Sequence, residues 1–451
     1  MTDIQAPSDR ELLIFKPKPS QPPPPATTGL IGWLRMNLFS SVSNTLLTVI
    51  GFYLIYLVAS AVNHWGIELA VWNADTRREC LDQSPYGACW AGVFVWFNRF
   101  IYGRYPDLEQ WRVSLTWVIF AAWMAPVWFP RVTSKVAIGL SAILIYPFLA
   151  GYFYLGGERN WFMEIMVSVA ILSFVLCWAH VLLCLITGRG LGTTIISLSG
   201  YAGKHDKTHK YPIIAFGAVG FVIVYALISG WTLKEIGTNN WGGLFLTLVI
   251  SGIGIAFALP AGIVLALGRR SKMPVIRVVC VAFIELLRSV PLITVLFMAT
   301  TMFPLFLPEG LVFNKLASAI VAVCLFSAAY MAETVRGGLQ AINKGQYEAA
   351  AAIGLGYWPM MALIIMPQAL KLMIPNIVGS FIGLFKDTTL VSIIGLYDML
   401  GMIKAVSQNP QWIGLHHEPL VTAAMIFFIG CFAMSKYSRH LEKKLGQGDR
   451  R

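Results

Sequence analysis

Apolar residues in this chain come in long runs separated by short polar stretches. Ten runs approach or exceed the length of a membrane-crossing helix, near residues 45–62, 112–129, 136–155, 162–187, 212–231, 242–267, 278–303, 316–332, 371–398 and 420–436. A helix needs about 20 predominantly apolar residues to cross the hydrocarbon layer. The pattern therefore predicts an all-α polytopic membrane protein with about ten transmembrane helices, the ninth interrupted by Gly383 and the pair Lys386–Asp387. The apolar stretch from Ala88 to Ile101 is too short to span. It lies in an aromatic-rich segment (Trp90, Phe94, Trp96, Phe97, Phe100, Tyr102, Tyr105, Trp111), which predicts an interfacial or re-entrant helix.

Composition agrees: 57% of the 451 residues are hydrophobic, only 12% are charged, and the mean hydropathy is +0.67. A soluble domain carries roughly 25% charged residues. A net charge of +12 raises nucleic acid as a partner, but Lys and Arg sit in short blocks between apolar runs, as topology signals do, and nucleic acid is set aside. An even number of spans puts both termini on one side. Placing them in the cytoplasm leaves 23 of the 34 Lys and Arg in cytoplasmic segments and 9 in exterior loops, as the positive-inside rule requires.

The chain divides by character into a Pro-rich cytoplasmic tail (1–40) expected to be disordered, a membrane extension with five helices (41–235), a core with five further spans (236–440) and a basic cytoplasmic tail (441–451). The start does not read as a cleavable signal, because no apolar run appears before Leu38. No internal repeat is visible, nor the paired inverted halves of many secondary transporters. Cys80 and Cys89 share the first exterior loop and could pair in an oxidising compartment. The other five cysteines lie in spans. No Cys/His cluster has metal-ligand spacing, and His416 and His417 read as solvated.

The stretch from Glu348 to Pro367 is rich in small residues and bendable. Helix formers and alanines run to Ile353, Gly354 and Gly356 permit a break, and Pro359 suits the first turn of a second short helix. Two short helices joined by a glycine elbow fit a groove on a soluble partner, since alanines allow close backbone approach. Glu348, Ala349, Ala350, Gly354, Ile364 and Pro367 fall on the spacing of the EAA loop of ATP-binding-cassette importer permeases, with Met366 where that pattern usually has Leu. WGGLFLTLVIS, ELLRSVPLI, AYMAETVRGGLQAINKGQYEAAAAIGLG and MPQALKLMIPNIVGSFIGLFKDTTLVSIIG together resemble the polar amino-acid uptake permeases, over about the last 45% of the chain. Departures are Ser289 and Val290, with the conservative Ile293, where the family reads close to RGTPLL, and Thr389, where it reads close to KDTSL. The long extension resembles the larger permease of general L-amino-acid importers.

The resemblance implies a type I importer permease core in a bacterial inner membrane, carrying L-amino acids by alternating access. It implies as partners a cytoplasmic ATPase dimer that holds ATP and Mg, a periplasmic amino-acid-binding protein, and a second related permease subunit or another copy of this chain. No phosphate-cradling glycine motif occurs, so the chain itself is read as a transport subunit with no cofactor, metal or catalytic residue. Charged groups inside spans mark the candidate pathway. Glu285 and Arg288, three apart near Pro291, permit an ion pair that either gates the path or only positions the helix. Lys386, Asp387 and Thr388 lie about 23 Å of helix beyond Lys371. They either supply donors and acceptors to an amino acid or satisfy each other. Glu164 is a further intramembrane acid without a basic neighbour at helical spacing. The rival readings are a secondary transporter or channel, with Glu285 and Glu164 as proton-coupling candidates, and a membrane assembly subunit.

Overall fold

The computed structural model describes residues 29–129, 132, 134–157, 160–187, 211–228, 232–308 and 314–446. Among them there is no strand, only three isolated β-bridges. Two compact units divide the chain, one of Met1–Val71 with Gln83–Ala88, the other of Trp72–Asp82 with Cys89–Arg451.

The first unit holds α1 (Gly29–Asn37) and α2 (Val42–Asn63). Residues 29–37 were expected to be disordered and are instead helical; residues 1–28 lie outside the described set. The Ser41 side chain caps α2 by accepting the Asn44 N–H at 3.1 Å, which satisfies one of the orphan donors of a helix start. No residue of α2 is buried.

In the second unit, α3 (Arg77–Gln83) precedes α4 (Trp90–Tyr102), the short helix expected in the aromatic loop. α4 buries Ala91, Gly92, Val93 and Phe100 and leaves Phe94 and Phe97 exposed. Cys80 and Cys89 are disulfide-bonded. The rest of the extension is α5 (Gln110–Met124), α6 (Lys135–Leu144), α7 (Tyr146–Leu155), α8 (Trp161–Thr187) and α9 (Tyr211–Ile228). The core follows as α10 (Gly243–Arg269), α11 (Pro274–Ser289), α12 (Leu292–Phe297), α13 (Lys315–Ala341), α14 (Lys344–Ala352), α15 (Tyr357–Met360), α16 (Met366–Asp387), α17 (Met399–Ser407) and α18 (His417–Gly446). α18 carries helix into the expected basic tail; residues 447–451 lie outside the described set.

Each of the ten expected spans coincides largely with helix among the described residues, the one at 371–398 ending at Ser392. Among the described residues seven helical stretches are long and apolar enough to cross a membrane, with α6 and α7 forming one of them. The expected span at 278–303 is instead a bent pair, Pro274–Ser289 and Leu292–Phe306 meeting at 107°. Pro291 supplies the physical cause, because it offers no N–H to continue the helix and pushes Val290 into extended conformation (φ −110°, ψ 136°). The segment at 112–129 is shorter, because α5 gives way to a 3₁₀ turn at Ala125–Trp128; of the segment at 212–231, residues 212–228 lie in α9 and 229–231 are outside the described set.

α13 is the centre of the core and packs on α10, α11 and α16. Small residues allow it. A Cβ at Gly262 of α10 would sit 2.7 Å from Met331, and one at Gly338 of α13 would sit 2.7 Å from the Ala369 carbonyl of α16. In lipid such close backbone approach is a main source of helix association. Packing also runs across residue 235, where sequence character changes: Tyr105, Val113, Ala150 and Tyr154 share one buried cluster with Ile236, Trp241, Phe245 and Leu316.

Candidate functional site: the 344–367 elbow and the ion cluster beside it

The Asn343 side chain accepts the Gly345 N–H at 2.9 Å and starts α14. The helix ends in a Schellman arrangement: Gly354 N–H bonds Ala351 O at 3.0 Å and Leu355 N–H bonds Ala350 O at 3.1 Å, with Gly354 at φ +78°. Space around Gly354 is open, so its role is conformational. α15 follows, then a π-helical turn, Met361–Ile365, that leads into α16. Of the six spaced residues, Glu348, Ala349, Gly354 and Pro367 are exposed, Ala350 is buried and Ile364 is half-buried. The outward face is strongly apolar: Ile353 is 72% exposed, Trp358 69% and Leu363 72%.

Inward, the elbow is tied down. Gln368 Nε2 donates to Gln346 Oε1 at 3.1 Å, joining the start of α16 to α14. Tyr347 Oη donates to Leu339 O at 3.3 Å in α13 and accepts from Arg270 Nη1 at 3.1 Å, with that guanidinium 5.7 Å from its ring centre.

The ion pair that spacing permits between Glu285 and Arg288 does not form. Glu285 meets Arg269 at 2.9 Å, and Arg288 meets Glu333 at 3.5 Å. Arg269 also reaches Glu333 at 3.5 Å, and Arg336, one turn on, hydrogen-bonds the other Glu333 oxygen. Glu333 thus gathers arginines from α10, α11 and its own helix α13. Three cations and two carboxylates leave one net positive charge, and Arg288 Nε and Glu333 Oε2 are buried without a hydrogen bond. Sequence reasoning missed Arg269, Glu333 and Arg336. The i, i+3 pair Glu333–Arg336 was the available signal.

Lys386 and Asp387 end α16 and are both exposed in the isolated chain. Thr388 is buried and its hydroxyl donates to Phe385 O at 2.7 Å, so it is used within the backbone. Glu164 accepts from Tyr225 Oη at 3.1 Å, a partner on α9 that helical spacing could not reveal. A second missed acid is Asp398, fully buried at the start of α17, where it accepts the Leu400 and Gly401 N–H groups at 3.2 and 2.9 Å. Burial pushes its carboxyl up to about 7, against the lowering effect of those two bonds and of Lys404.

The model of the family described as binding-protein-dependent transport system inner membrane component matches residues 258–447. The inner membrane amino-acid ABC transporter permease protein YhdY of Escherichia coli is 38% identical over 432 residues, covering 95% of this chain and 97% of the relative. The glutamate/glutamine/aspartate/asparagine transport system permease protein BztC of Rhodobacter capsulatus is 39% identical over 439 residues, with the same coverage. A shorter relative, the probable glutamine ABC transporter permease protein GlnP of Bacillus subtilis, is 34% identical over 45% of this chain and 91% of its own length.

Proposed function

Because this chain belongs to the permease subunits of amino-acid ABC importers, we propose that it forms part of a translocation path driven by a separate ATPase docked on the 344–367 elbow. The single observation that carries the reading is the elbow itself: two short helices with an exposed apolar face at Ile353, Trp358 and Leu363 and an exposed carboxylate at Glu348. An apolar helix pair with one charge fits a groove on a soluble partner. Both termini and the elbow are cytoplasmic in this reading, consistent with the Lys and Arg distribution.

The mechanism is alternating access. Closure of two ATPase subunits, which carry ATP and Mg, moves the elbow, and the elbow rocks the core spans between outward- and inward-open states. A periplasmic binding protein delivers an L-amino acid, and a second permease subunit, related or identical, completes the path. Glu285 and Arg288 belong to the ion cluster bordering that path. Lys386 and Asp387, exposed in the single chain, face either the substrate or the second permease.

The test is substrate-stimulated ATP hydrolysis and amino-acid uptake in proteoliposomes holding the complex, with Glu348→Lys and Gly354→Trp compared with the native chain. Loss of both activities in variants that still insert is the expected result. Uptake along an ion gradient with no ATPase present would instead make the chain a secondary transporter.

A further inference from the structure

Adjacent residues at the end of α10 face two different structures. Arg269 holds Glu285 at 2.9 Å and Glu333 at 3.5 Å, while Arg270 donates to Tyr347 Oη at 3.1 Å. Tyr347 belongs to α14, immediately before Glu348, and its hydroxyl points inward to Arg270 and Leu339 O. Ion cluster and elbow are therefore joined through a single peptide unit. A helix end is stiff along its axis, so displacement of Tyr347 must either carry Arg269 with it or break the Arg270 contact.

The cluster is built to respond to such a displacement. Glu333 Oε2 sits 3.5 Å from Arg269 and 3.5 Å from Arg288 without a hydrogen bond to either, whereas Arg336 bonds the other oxygen firmly. Around Glu333 the interhelical contacts are the loose ones and the intrahelical contact is the tight one, while Arg269 is held more closely by Glu285. Each residue is between about a quarter and a third exposed, apart from the more exposed Glu285, so the charges are only partly screened. Because the two distances are equal, a small shift of α10 against α11 would change which arginine Glu333 favours, and Arg288 lies just before the 107° bend at Pro291.

We propose that Tyr347 and Arg270 are positioning residues that transmit movement of the docked elbow to the Glu333 cluster, and that Glu333 alternates between arginines of α10 and α11 during transport. This rests on the elbow being the ATPase dock. A chain of contacts shows connection and not coupling, so the decisive observable is non-additivity.

The experiment uses the full complex with its ATPase and binding protein in proteoliposomes, and three readouts: co-purification of the ATPase, basal hydrolysis, and hydrolysis stimulated by the substrate-loaded binding protein. Tyr347→Phe and Arg270→Gln remove the Arg270–Tyr347 hydrogen bond from opposite sides, and Tyr347→Phe also removes the bond to Leu339 O. Arg270→Gln, which lies outside the dock, should retain the ATPase and basal hydrolysis; stimulation should fall at least threefold in both variants, and Arg270→Lys should restore part of it. Combining Tyr347→Phe with Glu333→Gln should lower stimulation no further than Glu333→Gln alone. Full stimulation in both single variants overturns the linkage, as do effects of Tyr347→Phe and Glu333→Gln that multiply. If Glu348→Lys leaves the ATPase bound and stimulated, the dock itself is wrong and the linkage falls with it, an outcome separable because it appears in the co-purification.

Discussion

Asp398 shows how one residue can do two incompatible jobs. As the N-cap of α17 it accepts two backbone N–H groups, a task suited to a carboxylate, yet it is fully buried and burial favours the neutral acid. With its carboxyl at about 7 against an ordinary 3.8, the folded protein holds a proton that the unfolded chain releases near pH 4. Stability from this group is therefore greatest at the acid end, falls as pH rises from about 4 to about 7, and is flat above. The loss is on the order of a few kcal/mol, since each pKa unit corresponds to about 1.4 kcal/mol. Asp398→Asn keeps the cap and cannot ionise. It should raise the thermal unfolding midpoint at pH 8 and flatten the profile between pH 5 and 8 in detergent-solubilised protein; an unchanged slope would mean that Asp398 is not the titrating group. Gly354 carries a different constraint, φ +78° in open space. Asn tolerates that conformation and β-branched residues do not, so Gly354→Asn should retain uptake in proteoliposomes where Gly354→Val loses most of it.

Elements in this protein are held at their ends by polar residues that no hydropathy pattern distinguishes. Arg112 in the first turn of α5 is 2% exposed, pairs with Glu109 at 2.7 Å and donates to the Lys234 carbonyl at 2.8 Å, so it fastens α5 to the segment leading into the core. Removing one partner of a buried pair typically costs about 3–5 kcal/mol. Arg112→Ala should lower the unfolding midpoint markedly, while the exposed Arg78→Ala should leave it unchanged. Elsewhere in the unit, the Cys89 N–H donates to Glu418 Oε1 at 2.8 Å and Arg77 meets the same carboxylate at 3.5 Å, which anchors the disulfide-bonded segment to the start of α18. This contrast explains what was legible in the sequence. The helices and the elbow at Gly354 follow from local rules of length and φ preference and are visible in one dimension; the missing N–H of Pro291 marks a break, but the 107° bend there is not visible. Nor are the partners of Glu285, Arg288 and Glu164, because they come from other helices. Glu285 reaches Arg269 across the turn between α10 and α11, and Glu164 reaches Tyr225 about sixty positions away. Thr388 reads as a free hydroxyl in sequence, and only the helix end shows that Phe385 O takes it.

Over the whole molecule, the cut suggested by composition and the cut made by packing fall in different places. Residues before and after 235 differ in character, yet Tyr105 and Tyr154 stack edge-on against Phe245 at 5.8 and 4.7 Å, Tyr154 meets Trp241 at 5.6 Å, and the Ile236 N–H donates to Leu155 O at 2.7 Å. The first turns of α10 are thus held by the extension. Lipid tails are as apolar as these side chains, so the cluster gains from close packing, ring geometry and hydrogen bonds more than from escape from water. A fragment comprising residues 236–451 should still insert, since its spans remain apolar enough, but the rings of Trp241 and Phe245 would lose their partners and α10 would lose the anchor on its first turns. The fragment should unfold in detergent at a clearly lower temperature than the full chain, and co-expressing residues 41–235 should restore much of the difference. Tyr154→Ala in the full chain tests the same contact without truncation, because that ring touches both Trp241 and Phe245. A fragment as stable as the full chain, together with a silent Tyr154→Ala, would show that the extension rests on the core without supporting it, and its purpose would then have to lie in the membrane or in another subunit.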